Sequence, residues 1–303
     1  KLFSEILCKF KDGHINLDVP ASLRSSVKKI KKPENAKTST TVKRELIENY
    51  LVQSKSYNNG VIKWGKIKNS EIGYILISDM EGFANYVSSE KSRGKIFDQE
   101  YEKKSQSKSP LEYFHDELLG VEYVMNLILE DLENSPSIIL DLRFNGGGYD
   151  TVALKILSFF IDQPKHILSI KARKGNSFTQ EQKYIIEPSP RVFKGQVHLL
   201  TSSITASAAE VFTLGALSFP NIKRYGRSTK GIFSEVLWKN LPNGWEFSLS
   251  NEVFSDPAGN QYEIRGIPVD FDFNYPEDRF EFYNTFYHNN DFKDKTIEKI
   301  LTL

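Results

Sequence analysis

The chain has 303 residues, 39% hydrophobic and 26% charged, with Lys+Arg 40 against Asp+Glu 39 and a net charge of +1. That length holds one large domain or two smaller ones, and the composition is that of a globular protein. The near-neutral balance gives no electrostatic reason to expect nucleic acid or an acidic membrane as partner, no run of about 18 apolar residues could span a membrane, and the single cysteine, Cys8, excludes an internal disulfide.

Leu2, Phe3, Ile6, Leu7 and Phe10 fall on one helical face, with Cys8 as a small core residue among them. The chain starts at Lys1 and reads as a mature or trimmed form. Asp12-Gly13 signals a turn. Residues 20–45 are polar and Lys-rich, with Pro20 and Pro33, and read as a solvated connection; the Lys28–Lys32 cluster has no interleaved aromatics, as a nucleic-acid patch would. Strand signals follow at 61–64 (VIKW) and 72–77 (IGYILI). A polar stretch, about 86–110, reads as a mobile surface loop. Leu111, Phe114, Leu118, Val121, Met125, Ile128 and Leu132 then recur at spacings of three and four behind Pro110, which predicts a helix.

Residues 137–142 (SIILDL) read as a buried strand ending in Arg143-Phe144-Asn145-Gly146-Gly147-Gly148. A helix is predicted over about 150–161, strands over 166–171 and 196–201, and a small-residue helix over about 206–219. Strands alternating with helices imply an α/β core with parallel pairing. The stretch 235–273 is richer in β and turn signals, including Pro242-Asn243-Gly244 and Asp256-Pro257-Ala258-Gly259.

Three features could carry chemistry. The first is the glycine run 146–148 between a strand and a helix, whose backbone N–H groups suit a phosphate or the oxyanion of acyl transfer. It reads equally as a tight strand-to-helix turn, and its spacing fits neither a dinucleotide fingerprint nor a P-loop. The second is TSSITASAAEVF at 201–212, where Ser207 sits near a helix start between Ala206 and Ala208. Small neighbours leave a hydroxyl accessible, and the Ala208 N–H could face an oxyanion; the same residues also read as an N-cap on a closely packed helix. The third is a base for that hydroxyl. His14, His115, His166, His198 and His288 are the histidines, and spacing does not choose among them. No His/Cys cluster has zinc spacing, and no metal or cofactor is implied.

Several blocks, in order, resemble the C-terminal processing or tail-specific serine peptidases. LFSEILCKFKDGHINL at 2–17 is similar to the segment that ends in Asp-Gly-His in tricorn-like relatives. IGYILISDMEGF at 72–83 resembles that family's IGY strand, and SIILDLRFNGGG its DLRxNxGG block. TASAAEVF at 205–212 resembles the nucleophile motif SASASE. GRSTKGIFSEVL at 226–237 resembles GxxTxGxxS, and 241–270 resembles the closing segment LPdGxxhxL…GIxPD.

The resemblance implies an α/β fold with a ClpP/crotonase-like β-α spiral core, a short N-terminal helical segment and a β-rich C-terminal part. It divides the chain into an N-terminal segment and connection, 1–70, carrying His14, and a peptidase domain, 71–303. It assigns Ser207 as nucleophile, with Gly146 or Gly147 and Ala208 as the oxyanion hole. One branch of the family uses a lysine after the glycine of GxxTxGK. Here Ile232 follows Gly231, and Lys230 lies two residues early, a displacement of roughly 7 Å on a strand. The tricorn-like branch uses a histidine and a distant glutamate, which points to His14, with Glu263 as the third member and Glu235 as its rival. The stretch 15–70 is too short and too polar for a PDZ domain of usual size, unlike many relatives.

The implied function is a serine endopeptidase that hydrolyses polypeptides through an acyl-enzyme on Ser207, outside the bacterial cytoplasm by family habit. An alternative is a catalytically silent relative that binds a small apolar ligand or peptide, its pocket drawn from the 21 Phe and 14 Tyr. A crotonase-like acyl-CoA enzyme would use the glycine-run amides but gives no reason for Ser207 or His14.

Overall fold

The computed structural model describes residues 12–18, 36–88, 94–289 and 291–303. The helical face expected over 1–10, with Cys8, and the Lys28–Lys32 cluster lie outside these. The first described elements are a two-residue strand, β1 (Leu17–Asp18), and a helix, α1 (Ser39–Tyr50). Part of α1 lies inside the stretch 20–45 read as a connection, so that expectation is corrected. Its apolar side is only Val42, Leu46 and Ile47, diluted by Thr, Lys and Arg, while the Thr38 hydroxyl caps its start by accepting from the Thr41 N–H.

An antiparallel meander follows: β2 (Leu51–Tyr57), β3 (Ile62–Ile67) and β4 (Gly73–Ile77). The boundary expected near residue 70 falls in the turn between β3 and β4, which pair. The stretch 86–110 contains a second helix, α2 (Lys95–Ser105), which corrects its reading as a loop. Only Phe97 of α2 is buried, too little to leave an apolar period. The strongly periodic segment forms α3 (Pro110–Asp131), started by a reciprocal Ser109–Glu112 capping box. Its apolar stripe outruns its packing: Val121, Val124, Met125 and Ile128 are fully buried, but Leu111 is 81% exposed.

The remaining elements are β5 (Ser137–Asp141), α4 (Asp150–Leu157), β6 (Lys165–Lys174), β7 (Ser177–Phe178), β8 (Gln182–Ile186), β9 (Gln196–Thr201), α5 (Ala208–Ala216) and β10 (Ile222–Gly226). After these come β11 (Val236–Asn240), β12 (Glu246–Ser250), β13 (Glu252–Ser255), β14 (Phe271–Asp272), α6 (Arg279–Asn284) and α7 (Lys295–Ile300). A seven-stranded sheet in the order β14-β10-β9-β5-β4-β3-β2 organises the chain, parallel from β4 to β14. The strands β1, β12 and β11 make a small sheet, and β6 pairs with β7, β8 and β13.

The inner strands β4, β5 and β9 are buried on both faces, which is why they read as largely apolar runs. Ile75, Ile77, Ile138, Leu140, Val197 and Leu199 point to one side, against α3, α4 and α5. Tyr74, Leu76, Ile139 and Leu200 point to the other, against α1, α6 and α7. On that second side Arg143, fully buried, donates to Asp141 at 2.6 Å and to Asp294 at 2.6 Å. Asp294 also caps α7 by accepting from the Thr296 and Ile297 N–H groups. The last turns of the chain are thereby tied to the end of β5, where the glycine run begins.

Candidate active site

The glycine run leaves the carboxyl end of β5 beside the end of β4. The Asn145 side chain is fully buried, donates to the Ile77 carbonyl at 3.2 Å and accepts from the Gly147 N–H at 2.9 Å. The Gly147 carbonyl accepts from the Met80 N–H at 2.7 Å, and the Met80 carbonyl from the Tyr149 N–H at 2.9 Å. This stitching holds Gly147 at φ +119 and Gly148 at φ +133, a region that side chains rarely adopt. A Cβ at Gly147 would stand 2.6 Å from the Ser207 Cβ and 3.2 Å from its Oγ, whereas one at Gly146 would meet nothing within 4 Å. The run and the serine are therefore in direct contact across β5 and β9.

Ser207 ends the turn from β9 into α5 with φ 53 and ψ −128. A serine held in a sparsely populated conformation costs of order 1–3 kcal/mol and persists only where its surroundings impose it. It occupies the N-cap position, yet its side chain makes no capping hydrogen bond. The Ser207 N–H donates to the Ile232 carbonyl at 3.0 Å, and the Ala209, Glu210 and Val211 amides donate to Ala206 and Ser207 carbonyls. The Ala208 N–H has no partner among the described residues. An uncommitted hydroxyl beside an uncommitted N–H at a helix N-terminus suits attack on a carbonyl and retention of the charge that develops.

His14 lies on the segment that leads into β1. Its backbone N–H donates to the Asp12 carboxylate at 2.9 Å, and its carbonyl accepts from the Ser248 hydroxyl of β12 at 2.5 Å. The Gly13 Cα lies against the Ile232 side chain, so this segment packs on the residue that binds the Ser207 amide. Burial holds the His14 imidazole below its usual value of 6.5; Lys230 adds to that depression, while Asp12 and the Ser234 backbone oppose it. The ring's Nδ1 is buried without a hydrogen-bond partner.

Glu263 approaches the same backbone from the far side. Its Oε2 accepts from the Phe233 N–H at 3.1 Å, and burial holds its carboxyl above the usual carboxylate range, with backbone N–H groups of Phe233 and Ser234 opposing. Its Oε1 is buried without a partner. Both side chains interact with the Ser234 backbone and feel the field of Asp12, and each keeps one buried atom unpartnered, His14 Nδ1 and Glu263 Oε1. Glu235 is exposed and belongs to a different group, with its N–H on Glu252 and its charge felt by Asp150, which burial pushes up to about 7. Lys230 is exposed, and the buried Ile232 occupies the position that a dyad lysine would take. Sequence reasoning missed Asn145, Glu210 and Ser248. Only Glu210 left a signal, a carboxylate one turn after Ser207 in an otherwise apolar helix.

A sequence model of Peptidase family S41 matches residues 71–273, about two-thirds of the chain. The chain belongs to Peptidase family S41. Curated relatives of this S41 chain include a protein named a CtpA-like serine protease in Staphylococcus haemolyticus (strain JCSC1435), 29% identical over 59% of this chain and 36% of the relative. Another, similarly named, from Staphylococcus aureus (strain bovine RF122 / ET3-1), is 26% identical over 54% of this chain and 33% of the relative. The S41 chain thus matches about one-third of the length of each. Among solved structures, a protein of Parabacteroides merdae ATCC 43184 described as a candidate peptidase superposes with TM-score 0.67 at 19% identity, covering 99% of this chain and 80% of that one. Mature CPAF superposes with TM-score 0.56 at 11% identity, over 87% of this chain and 58% of that one. At those identities the likeness speaks for the fold of the S41 chain.

Proposed function

We propose that this chain is a serine endopeptidase acting on polypeptides, with Ser207 as nucleophile, His14 as general base and Glu263 as the residue that orients the imidazole. The core, 71–303, is read as a ClpP/crotonase-like β-α spiral to which the segment around 12–18 delivers the base. The observation that carries the proposal is Ser207 itself: a strained, uncapped serine at a helix start, touching Gly147 and followed by a free N–H. His14 takes the Ser207 proton as the hydroxyl attacks the scissile carbonyl. The imidazolium is stabilised by Glu263 once their unpartnered atoms meet, as catalytic hydrogen bonds often tighten only when substrate binds. The oxyanion is held by the Ala208 N–H together with a glycine-run amide. Gly147 serves when Asn145 releases it, and Gly146 carries no hydrogen bond among the described residues. Protonated His14 then returns the proton to the leaving amine, and water hydrolyses the acyl-enzyme.

Membership of the S41 family and the serine-protease names of its relatives support this reading, and they support a site of action outside the cytoplasm. Among the described residues no helix is long and apolar enough to cross a membrane. The test compares wild type with Ser207→Ala on an unstructured polypeptide such as reduced casein, alongside labelling by a fluorophosphonate. Cleavage and labelling should both vanish in the variant. Equal cleavage by the two proteins sinks the assignment, and a wild type that neither labels nor cleaves returns the chain to a ligand-binding role.

A further inference from the structure

Glu210 is a fully buried carboxylate that the chemistry above does not use. It stands three residues after Ser207 in the first turn of α5, so both side chains emerge from the same end of one helix. Its two oxygens accept from consecutive backbone amides, Gly231 at 2.6 Å and Ile232 at 2.7 Å. We infer that Glu210 is a positioning residue, which clamps the strap 229–232 to the nucleophile helix and thereby fixes Ser207, His14 and Glu263 relative to one another. The inference rests on the triad reading given above.

The strap's own bonds carry the argument. The Ile232 carbonyl accepts the Ser207 N–H at 3.0 Å, and the Ile232 side chain is what Gly13, next to His14, packs against. The Gly231 carbonyl accepts the Ile264 N–H at 2.8 Å, and the Phe233 N–H donates to Glu263 at 3.1 Å. Five backbone groups of three consecutive residues are therefore committed to Ser207, Glu210 and the Glu263 segment. The strap has no helix or strand ladder of its own over 227–233, so side chains and neighbouring loops decide its place. Thr229 pins its start: its hydroxyl accepts the Ile267 N–H at 2.7 Å. Gly231, at φ +81, faces backbone atoms of Ile264, Arg265 and Gly266 at 2.6–2.9 Å from a notional Cβ. A carboxylate, with an acceptor on each oxygen, is the side chain that can hold two adjacent N–H donors at once. An amide can satisfy only one and turns a donor towards the other.

The experiment measures fluorophosphonate labelling of Ser207, kcat and KM on an unstructured polypeptide, and the unfolding midpoint, for wild type, Glu210→Gln and Thr213→Val. Thr213 donates to the Ala209 carbonyl within the same helix and makes no hydrogen bond to the strap among the described residues, so it supplies destabilisation without loosening the clamp. Glu210→Gln should slow labelling and kcat by about 10–100-fold, the cost of moving a reacting group by about 1 Å, with KM within about threefold. Thr213→Val should lower the midpoint and leave the labelling rate per folded molecule at the wild-type value. Should Glu210→Gln not fold, Glu210→Asp keeps a carboxyl group with a shorter reach and should show a smaller loss of the same kind. Wild-type labelling by the folded Glu210 variant, or an equal loss in Thr213→Val, overturns the inference and leaves the triad standing. Undiminished cleavage by Ser207→Ala would instead remove the reading on which it rests.

Discussion

The contact between Gly147 and Ser207 gives the sharpest quantitative expectation. In Gly147→Ala the new Cβ would lie 2.6 Å from the Ser207 Cβ, 3.0 Å from the Ala206 carbonyl oxygen and 3.2 Å from Ser207 Oγ. Carbon atoms in contact sit at about 3.5–4.0 Å, so the pair must separate by about 1 Å. Neither partner can yield freely. Gly147 is held through Met80 and Asn145, and Ser207 through Ile232 and the helix behind it. The positive φ of residue 147 adds of order 1–3 kcal/mol of backbone strain for an alanine. Displacing a nucleophile by about 1 Å costs roughly a hundredfold in rate, equivalent to about 2.7 kcal/mol. Gly146→Ala is the matched comparison, since its Cβ would meet nothing within 4 Å and its φ is ordinary. The assay is the second-order rate of fluorophosphonate labelling, read on the folded fraction. We expect a loss of about a hundredfold for Gly147→Ala and a rate within about threefold of wild type for Gly146→Ala. Equal rates in the two variants would refute the claim that the run is held against the nucleophile.

Two further outcomes follow from charges around the site and beneath it. Catalysis needs the neutral imidazole, and burial with Lys230 holds His14 low, so activity should persist as pH falls past 6.5 and be lost only below it. Lys230→Ala removes a like charge and should move the acid limb of kcat/KM upward, while Asp12→Asn should move it downward; a limb that neither variant shifts assigns the titration elsewhere. Asp294→Ala strips one carboxylate from the fully buried Arg143 and removes the α7 cap, which should cost about 3–5 kcal/mol in urea unfolding. Asp294→Asn, which keeps the cap acceptor and loses the charge, should cost less, and equal losses would show that the cap contributes nothing measurable.

The fold was legible wherever burial on both faces, or strict helical spacing, wrote itself into the residues. Residues 72–77, 137–142 and 196–201 are mostly apolar because helices cover these strands on both sides, and α3 announces itself by period and proline. The helices over 39–50 and 95–105 were illegible for one reason. Each buries three side chains or fewer, so its surface is nearly all polar, and a helix held by a cap and a few contacts looks like a connection in sequence. The C-terminal turns were silent for another reason: Asp294 matters only because Arg143, 151 residues earlier, is buried beside it.

For the proposed site, sequence order supplied the candidate parts but not the forces that would assemble them. Ser207 read alone was as good a helix cap as a nucleophile, and the distinction lies in a hydroxyl that makes no capping bond and a backbone at φ 53. Glu263 matched the distant glutamate of the resemblance best and Glu235 was its rival, and nothing in the sequence says which of the two is buried. Burial separates them physically: Glu235 is solvated and answers to Glu252, whereas Glu263 keeps one oxygen on the Phe233 amide and the other unsatisfied. An unsatisfied buried acceptor costs about 1–3 kcal/mol, and so does an unsatisfied imidazole nitrogen. In the proposed triad, a hydrogen bond between the two would relieve both costs once His14 has gained its proton, when a charged imidazole beside a carboxylate is worth most.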